Sequence, residues 1–216
     1  MAKQRNYSIN DIDAWKFKKV GMPEEWVSHL GHITENFRML IEGKSGHGKT
    51  EYMMKLTKML AMHYGKVNVN STEQGRSASL QDAFKRNNMS EIKGGKWMLC
   101  DHTQRTFEPW FERLQRPNSG RVIVLDSLDY MNLTFKQFKM MHEKFKHKSI
   151  IIVCWNDPMD AQAKKIKYNC DIKVEVVDYM AQIRSRFGGN KPFEIWPERF
   201  QMTSPQLALT ETITAE

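Results

Sequence analysis

Several protein classes are excluded by what this chain has little of. Three cysteines, Cys100, Cys154 and Cys170, stand far apart in 216 residues. They form no CxxC pair and no zinc-ligand spacing, so neither a disulfide framework nor a zinc site is written in them. Cys100 and Cys154 sit in apolar runs, where cysteine behaves as a small core residue. A reduced, intracellular compartment fits that usage. No apolar run approaches the ~20 residues that a membrane-spanning helix needs. The opening residues, MAKQRNYSINDIDAW, contain no apolar signal core. The expected location is the cytoplasm, with no membrane partner. Internal repeats and low-complexity blocks are missing. Acidic residues are in deficit: 25 Asp and Glu face 33 Lys and Arg, giving a net charge of +8 and a pI near 9.3. That balance suits a partner rich in phosphate without identifying one.

What is present is an alternation of apolar strands and amphipathic helices. Residues 1–36 are polar, with Trp15, Phe17, Trp26 and Leu30 scattered through them, and read as an arm or cap. Residues 37–202 read as one core and 203–216 as a flexible tail. Strands are expected at 37–43, 66–73, 96–102, 121–127 and 149–156, and helices at 50–63, 77–88, 106–115 and 135–148. The helix at 50–63 carries a stripe of Met53, Leu56, Leu60 and His63. The end of the core differs: IKVEVV, AQIRSRF and PFEIWPERF are strand-like with short breaks. This order predicts an α/β fold with a mostly parallel sheet flanked by helices and antiparallel strands at its C-terminal edge.

Between the first strand and the first long helix lies GKSGHGKT, residues 43–50. It fits the phosphate-loop pattern G-x-x-x-x-G-K-[ST]. Gly43, Gly46 and Gly48 let the backbone of Gly43, Lys44, Ser45, Gly46, His47 and Gly48 curl and turn its N–H groups inward. With the helix N-terminus behind it, such a loop cradles phosphate. Lys49 would place a charge on the outer phosphates, and the Thr50 hydroxyl would join the oxygen shell of Mg²⁺. His47 occupies a tolerant position and carries no catalytic role. Lys44 has two readings: a solvated loop lysine, or one reaching across a dimer as in partition-type ATPases.

A second motif, RVIVLD, ends a buried strand with Asp126, a second ligand for the metal. Ser127 follows it, where a water-activating glutamate stands in AAA+ families. Glu73, at the end of the strand VNVNSTE, is the candidate for orienting the attacking water.

The arrangement resembles the RecA-like P-loop ATPase family over roughly residues 26–200. The resemblance rests on GKSGHGKT, VNVNSTEQG with Glu73, VIVLDSLDYM, IIIVCWND in the place of the sensor strand, and IRSRFGG followed by PFEIWPERF. Those last segments look like the hairpin strands of the RecA, RadA, KaiC and replicative-helicase branches. The large accessory domains of full recombinases and helicases are missing, as in small recombination or replication ATPases of phages and mobile elements. The resemblance implies ATP and Mg²⁺ as cofactors, ATP hydrolysis, and a homo-oligomer with its active site between subunits. Arg184 and Arg186 match the basic residues that act on a neighbour's phosphates. Asn156, where Gln or His is usual, would report the γ-phosphate. DNA, particularly single-stranded DNA, is the implied partner, together with a replication or recombination protein. Tyr130 and Lys136 after the Asp126 strand, and Lys164, Lys165 and Lys167 after the sensor strand, are the candidate nucleic-acid contacts. Two alternatives stand beside this reading. One is a partition-type or clock-type switch working through protein partners, the other a small-molecule kinase.

His142 and His147 have no acidic or cysteine partners at metal spacing, so no metal beyond Mg²⁺ is expected. Trp15, Trp26, Trp97, Trp110, Trp155 and Trp196 follow no regular spacing and read as packing or interface residues.

Overall fold

Buried strands that lie between two layers of helices need apolar side chains on both faces, and this chain supplies them. VIVLD and SIIIVC become β4 (Val122–Asp126) and β5 (Ser149–Cys154), buried along their whole lengths. The computed structural model describes residues 6–100, 106–155 and 158–199. Among the described residues, eight strands form one sheet. They also include β1 (Arg38–Glu42), β2 (Val67–Ser71), β3 (Trp97–Cys100), β6 (Ile172–Val177), β7 (Met180–Ser185) and β8 (Phe193–Glu194). The spatial order is β3-β2-β4-β5-β1-β6-β7-β8. The first six run parallel, and β7 and β8 are antiparallel additions at the edge. The expected architecture is therefore the observed one.

Helices α1 (Ile9–Asp13) and α2 (Glu24–Leu30) precede the sheet, and α3 (Lys49–His63) follows β1. One face of the sheet is covered by α2, α3 and α4 (Ala78–Arg86). The other is covered by α5 (Phe107–Gln115), α6 (Leu128–Met131), α7 (Phe135–Lys144) and α8 (Ala161–Asn169). Local chemistry sets several helix starts. The Ser77 side chain accepts from the Leu80 amide, and Thr134 with Gln137 forms a reciprocal capping box. Asp160 caps α8 by accepting from the Ala163 amide at 2.6 Å.

Four details differ from the sequence reading. His63 is exposed rather than on the buried stripe of α3, while Tyr52, Met54 and Met59 are buried. The buried face is wide because α3 packs beneath α2 and α4 as well as on the sheet. The segment after β5, where no helix is expected above, contains α8, whose Ala163 and Ile166 close the second core. Helix α7 ends at Lys144, four residues short of the expected end, where the Phe145 ring turns into the core. Of the described residues of PFEIWPERF, only Phe193–Glu194 is strand. The expectation for the tail, 203–216, falls outside the described residues.

The cap is packed rather than loose from Val20 onward. Trp26, Leu30 and Ile33 are buried in the first core, and Gly31 bridges to Gly188 near the end of the hairpin. Ile33 is fully buried. Ile33→Val therefore lowers the unfolding free energy by about 0.5–1.5 kcal/mol. Urea denaturation checks this, because a cap docked only loosely would give no change.

Candidate functional site: a phosphate cleft at the strand ends

The C-terminal ends of β1, β2 and β4 converge, as expected where a parallel sheet presents a ligand. The loop leaves β1 at Gly43 and enters α3 at Lys49. Two of its glycines are required by space. A Cβ on Gly43 would lie 2.4 Å from the Val176 carbonyl oxygen, and one on Gly48 would lie 2.8 Å from Cδ1 of Tyr179. Gly48 also has φ of 99°, a left-handed value that suits glycine. The Lys49 Nζ donates to the carbonyls of Gly43 and Lys44, both at 2.9 Å, which holds it inside the loop. Burial pushes the Lys49 ammonium pKa down, opposed by the nearby carboxylates of Glu73 and Asp126.

Backbone hydrogen bonds bring β2 and β4 into register at their ends. The Asp126 carbonyl accepts from the amides of Thr72 (2.5 Å) and Glu73 (3.2 Å). The Ser127 amide donates to the Thr72 hydroxyl at 3.0 Å. Glu73 is thus fixed relative to Asp126 by main chain, not by side-chain chance. Asp126 is 2 % exposed, and its Oδ2 has no hydrogen-bond partner. Burial, and then the neighbouring Glu73, push its carboxyl up to about 7, while Lys49 pulls the other way. The Thr50 hydroxyl accepts from the Gln74 side chain at 3.2 Å.

A buried carboxylate oxygen without a donor, beside a hydroxyl and a second carboxylate, suits a hard divalent cation. Among the described residues no three His, Cys, Asp or Glu side chains converge as a metal site. Thr50, Glu73 and Asp126 could supply part of an oxygen shell of the kind that substrate phosphate and water complete at Mg²⁺ sites. Around these groups lies a cleft of 240 Å³. Lys49, Thr50, Glu73 and Asp126 all line it.

The other candidates are distributed as follows. Arg186 pairs with Asp171 at 3.2 Å, a carboxylate that also holds Arg38, at the end of the sheet where β1 and β6 begin. Arg184 stands opposite Lys173 on β6, in a polar recess with Glu42 and Lys167. Neither arginine lines the cleft at the P-loop of its own chain. Asn156 falls outside the described residues. Tyr130 and Trp155, both 39 % exposed, pack edge-on at 5.6 Å where β4 and β5 end. Asp129 joins the same two strand ends by accepting from the Trp155 amide at 2.9 Å. Lys164 and Lys165 are exposed on α8, and Lys136 is exposed at the start of α7. The Phe135 amide donates to Gln162, so the first turns of α7 and α8 meet. Lys167 is instead paired with buried Glu42.

Sequence reasoning missed several residues of the cleft: Glu51, Gln74, Arg86, Tyr179, Trp196 and Arg199. Trp196, read above as packing or interface, belongs among them. His47 also has a structural task. Its Nδ1 accepts from the Asp178 amide (3.0 Å), and its carbonyl accepts from the Tyr179 amide (3.0 Å), tying the loop to the β6–β7 turn.

Solved structures that share this architecture include the following three. The flagellar accessory protein FlaH from Methanocaldococcus jannaschii is 13 % identical, with a TM-score of 0.60 over 82 % of this chain and 92 % of that one. A KaiC-like protein from Pyrococcus horikoshii OT3 is 16 % identical, with a TM-score of 0.60 over 85 % and 97 %. A third structure, an ATPase domain, is 14 % identical, with a TM-score of 0.58 over 88 % and 93 %. The fold is that of the RecA-like P-loop ATPases. Within the RecA-like fold, identities this low speak for architecture and not for activity. The chain matches no protein-family model and no curated protein. Among the described residues, no helix is long and apolar enough to cross a membrane.

Proposed function

We propose that the protein is an ATPase that acts on DNA as a homo-oligomer, in recombination, repair or replication. One observation carries the ATPase half: buried Asp126, whose Oδ2 has no hydrogen-bond partner, lines the same cleft as Thr50, Glu73 and Lys49. In this reading Lys49 and the loop amides grip the phosphates, Thr50 and Asp126 hold Mg²⁺, and Glu73 takes the proton of the attacking water. When bound between Thr50 and Asp126, Mg²⁺ would supply neutralisation of the phosphate charge. Arg184, with Arg186 if its ion pair to Asp171 opens, serves the cleft of a neighbouring subunit. The solved ATPase domain with the same fold is in keeping with this activity.

The DNA half is supported by the basic charge and by Tyr130, Trp155, Lys136, Lys164 and Lys165 at one end of the sheet. ATP turnover measured with and without single-stranded DNA tests it, and stimulation is expected. The double variant Lys164→Ala/Lys165→Ala should reduce the slope of log affinity against log salt by about 1.4, since each phosphate neutralised on a single strand contributes ~0.7. An unchanged slope removes these lysines from the interface. The second reading, a switch acting through protein partners, is favoured by the exposed Lys44 in the loop. It gains if DNA leaves turnover unchanged and Lys44→Ala abolishes dimerisation.

A further inference from the structure

The end of the sheet opposite the phosphate cleft carries a row of like charges. Lys96, Lys66, Arg121 and Lys148 each directly precede the first residue of β3, β2, β4 and β5, which are neighbours in that order. These strands start in one register: Val67 is level with Trp97 and Val122, and Val122 with Ser149. The backbone ties the row together. The Val67 amide donates to the Lys96 carbonyl (2.8 Å), the Arg121 amide to the Lys66 carbonyl (2.7 Å) and the Ser149 amide to the Arg121 carbonyl (2.9 Å). Adjacent members therefore stand about 4.8 Å apart across the sheet, and the four span ~14 Å. Like charges side by side on neighbouring strands cost stability, so the sheet alone gives no reason for the row.

Lys66, Arg121 and Lys148 line a recess of 600 Å³ at the C-terminal ends of α3, α5 and α7, where Arg116 and Lys144 join them. Among the described residues no carboxylate lines it. Arg121 pairs with Glu35 at 3.0 Å, but Lys18 shares that carboxylate at 3.2 Å. Each helix C-terminus adds about half a negative charge, ~1.5 in all. That and one shared carboxylate leave the five cations in surplus. Lys148 shows the consequence. It is half-buried and donates to the Leu114 carbonyl at 3.0 Å and the Ser119 hydroxyl at 2.5 Å, both neutral acceptors. Burial pushes its ammonium pKa down. A cation held out of water without a counter-charge is the converse of buried Asp126, and it suits an anionic partner.

We infer that this row is a second nucleic-acid surface, which takes the phosphate backbone of a DNA strand across the starts of β2, β4 and β5. It rests on the DNA half of the reading above and adds a site to it. Tyr130, Trp155, Lys164 and Lys165 lie at the other end of the sheet, and the five residues of β4 alone put about 17 Å of strand between the two ends. A regular row of cations suits a linear polyanion whose charge repeats. The contact is to phosphate and blind to sequence, because the rings at hand are already covered: Arg121 lies 5.7 Å from the Tyr64 centroid and Lys148 lies 5.0 Å from that of Phe145. A membrane surface fits less well, since among the described residues none of the exposed large apolar side chains lines the recess. With both ends occupied, one protomer holds two strand segments at once.

The test is the salt dependence of binding a short single-stranded oligonucleotide to the full chain. It is run in the Lys164→Ala/Lys165→Ala background, which weakens the surface at the other end. Adding Arg116→Ala/Lys144→Ala removes two exposed charges. It should lower the slope of log affinity against log salt by about 1.4. Arg116→Lys/Lys144→Arg keeps both charges and should keep the slope, which separates lost charge from disturbed structure. Phosphatidylserine vesicles should not be bound. An unchanged slope in the alanine variant, or an equal fall in the charge-conserving one, would overturn the second surface. Vesicles bound more tightly than the oligonucleotide, and released by the alanine changes, would make it a membrane surface instead. If the wild type binds the oligonucleotide and Lys164→Ala/Lys165→Ala alone abolishes binding, the first surface stands and this one falls. If the wild type binds no oligonucleotide, the DNA reading falls with it.

Discussion

Glu73→Gln should lower ATP turnover by about 10²–10⁴-fold, the usual worth of a positioned general base, while ATP affinity should stay within a few-fold. Glutamine keeps the size and hydrogen bonding of the side chain but cannot accept the proton of water. The expectation is sharp because the residue cannot drift. Its amide is bonded to the Asp126 carbonyl, and its carboxylate is near enough to Asp126 and Lys49 to perturb both. Single-turnover hydrolysis with calorimetric binding separates the two quantities. The same substitution removes the repulsion that helps raise the Asp126 carboxyl, so that group should titrate lower than in the wild type. A variant that hydrolyses ATP normally would move the base elsewhere.

Asp126→Asn should have two opposite effects. Turnover with Mg²⁺ falls by about 10²–10³-fold, because metal-borne stabilisation of the transferring group is worth several kcal/mol. The ligand-free protein becomes more stable at alkaline pH. The sign follows from the carboxyl being raised from 3.8 to about 7 in the folded state. The fold keeps that proton to a higher pH than the unfolded chain does. The stability it contributes is full below about pH 4 and is lost as pH rises through about 7. A pKa difference of one between the folded and unfolded states is worth about 1.4 kcal/mol, so the variant should exceed the wild type by a few kcal/mol above neutrality and by little at pH 4. Mg²⁺ with ATP should close the gap by stabilising only the wild type. Unfolding midpoints across pH 4–9 check this. A wild type whose stability does not fall toward alkaline pH would mean that the carboxylate is not buried uncompensated.

The sheet and the phosphate loop were legible because their signals are local. Apolar runs such as VIVLD read as buried strands, and GKSGHGKT carries its glycines and lysine at fixed spacing. Asp126 and Glu73 were legible because both end such runs. Helix α8 was hidden by its composition: AQAKKIKYN has only two core-facing residues, Ala163 and Ile166, too few for a visible stripe. Its cap, Asp160, was the available sign. His63 misled because three members of its stripe are buried and the helix continues past the edge of the core. Arg86, Tyr179, Trp196 and Arg199 could not be joined by spacing at all. They are separated in sequence by as many as 113 positions and meet because the β6–β7 hairpin folds back over the loop. Arg186 shows the converse: a motif match in sequence can lie in an ion pair at the opposite end of the strands.

The central claim is that one cleft holds a triphosphate, its metal and a hydrolytic water. A crystal structure with Mg²⁺ and adenylyl imidodiphosphate tests it most directly. The expected result is the outer phosphates on Lys49, the metal held by Thr50 and Asp126, and the Glu73 carboxylate facing the terminal phosphorus. A cleft with no nucleotide at saturating ligand, or Glu73 turned away from that phosphorus, would contradict it.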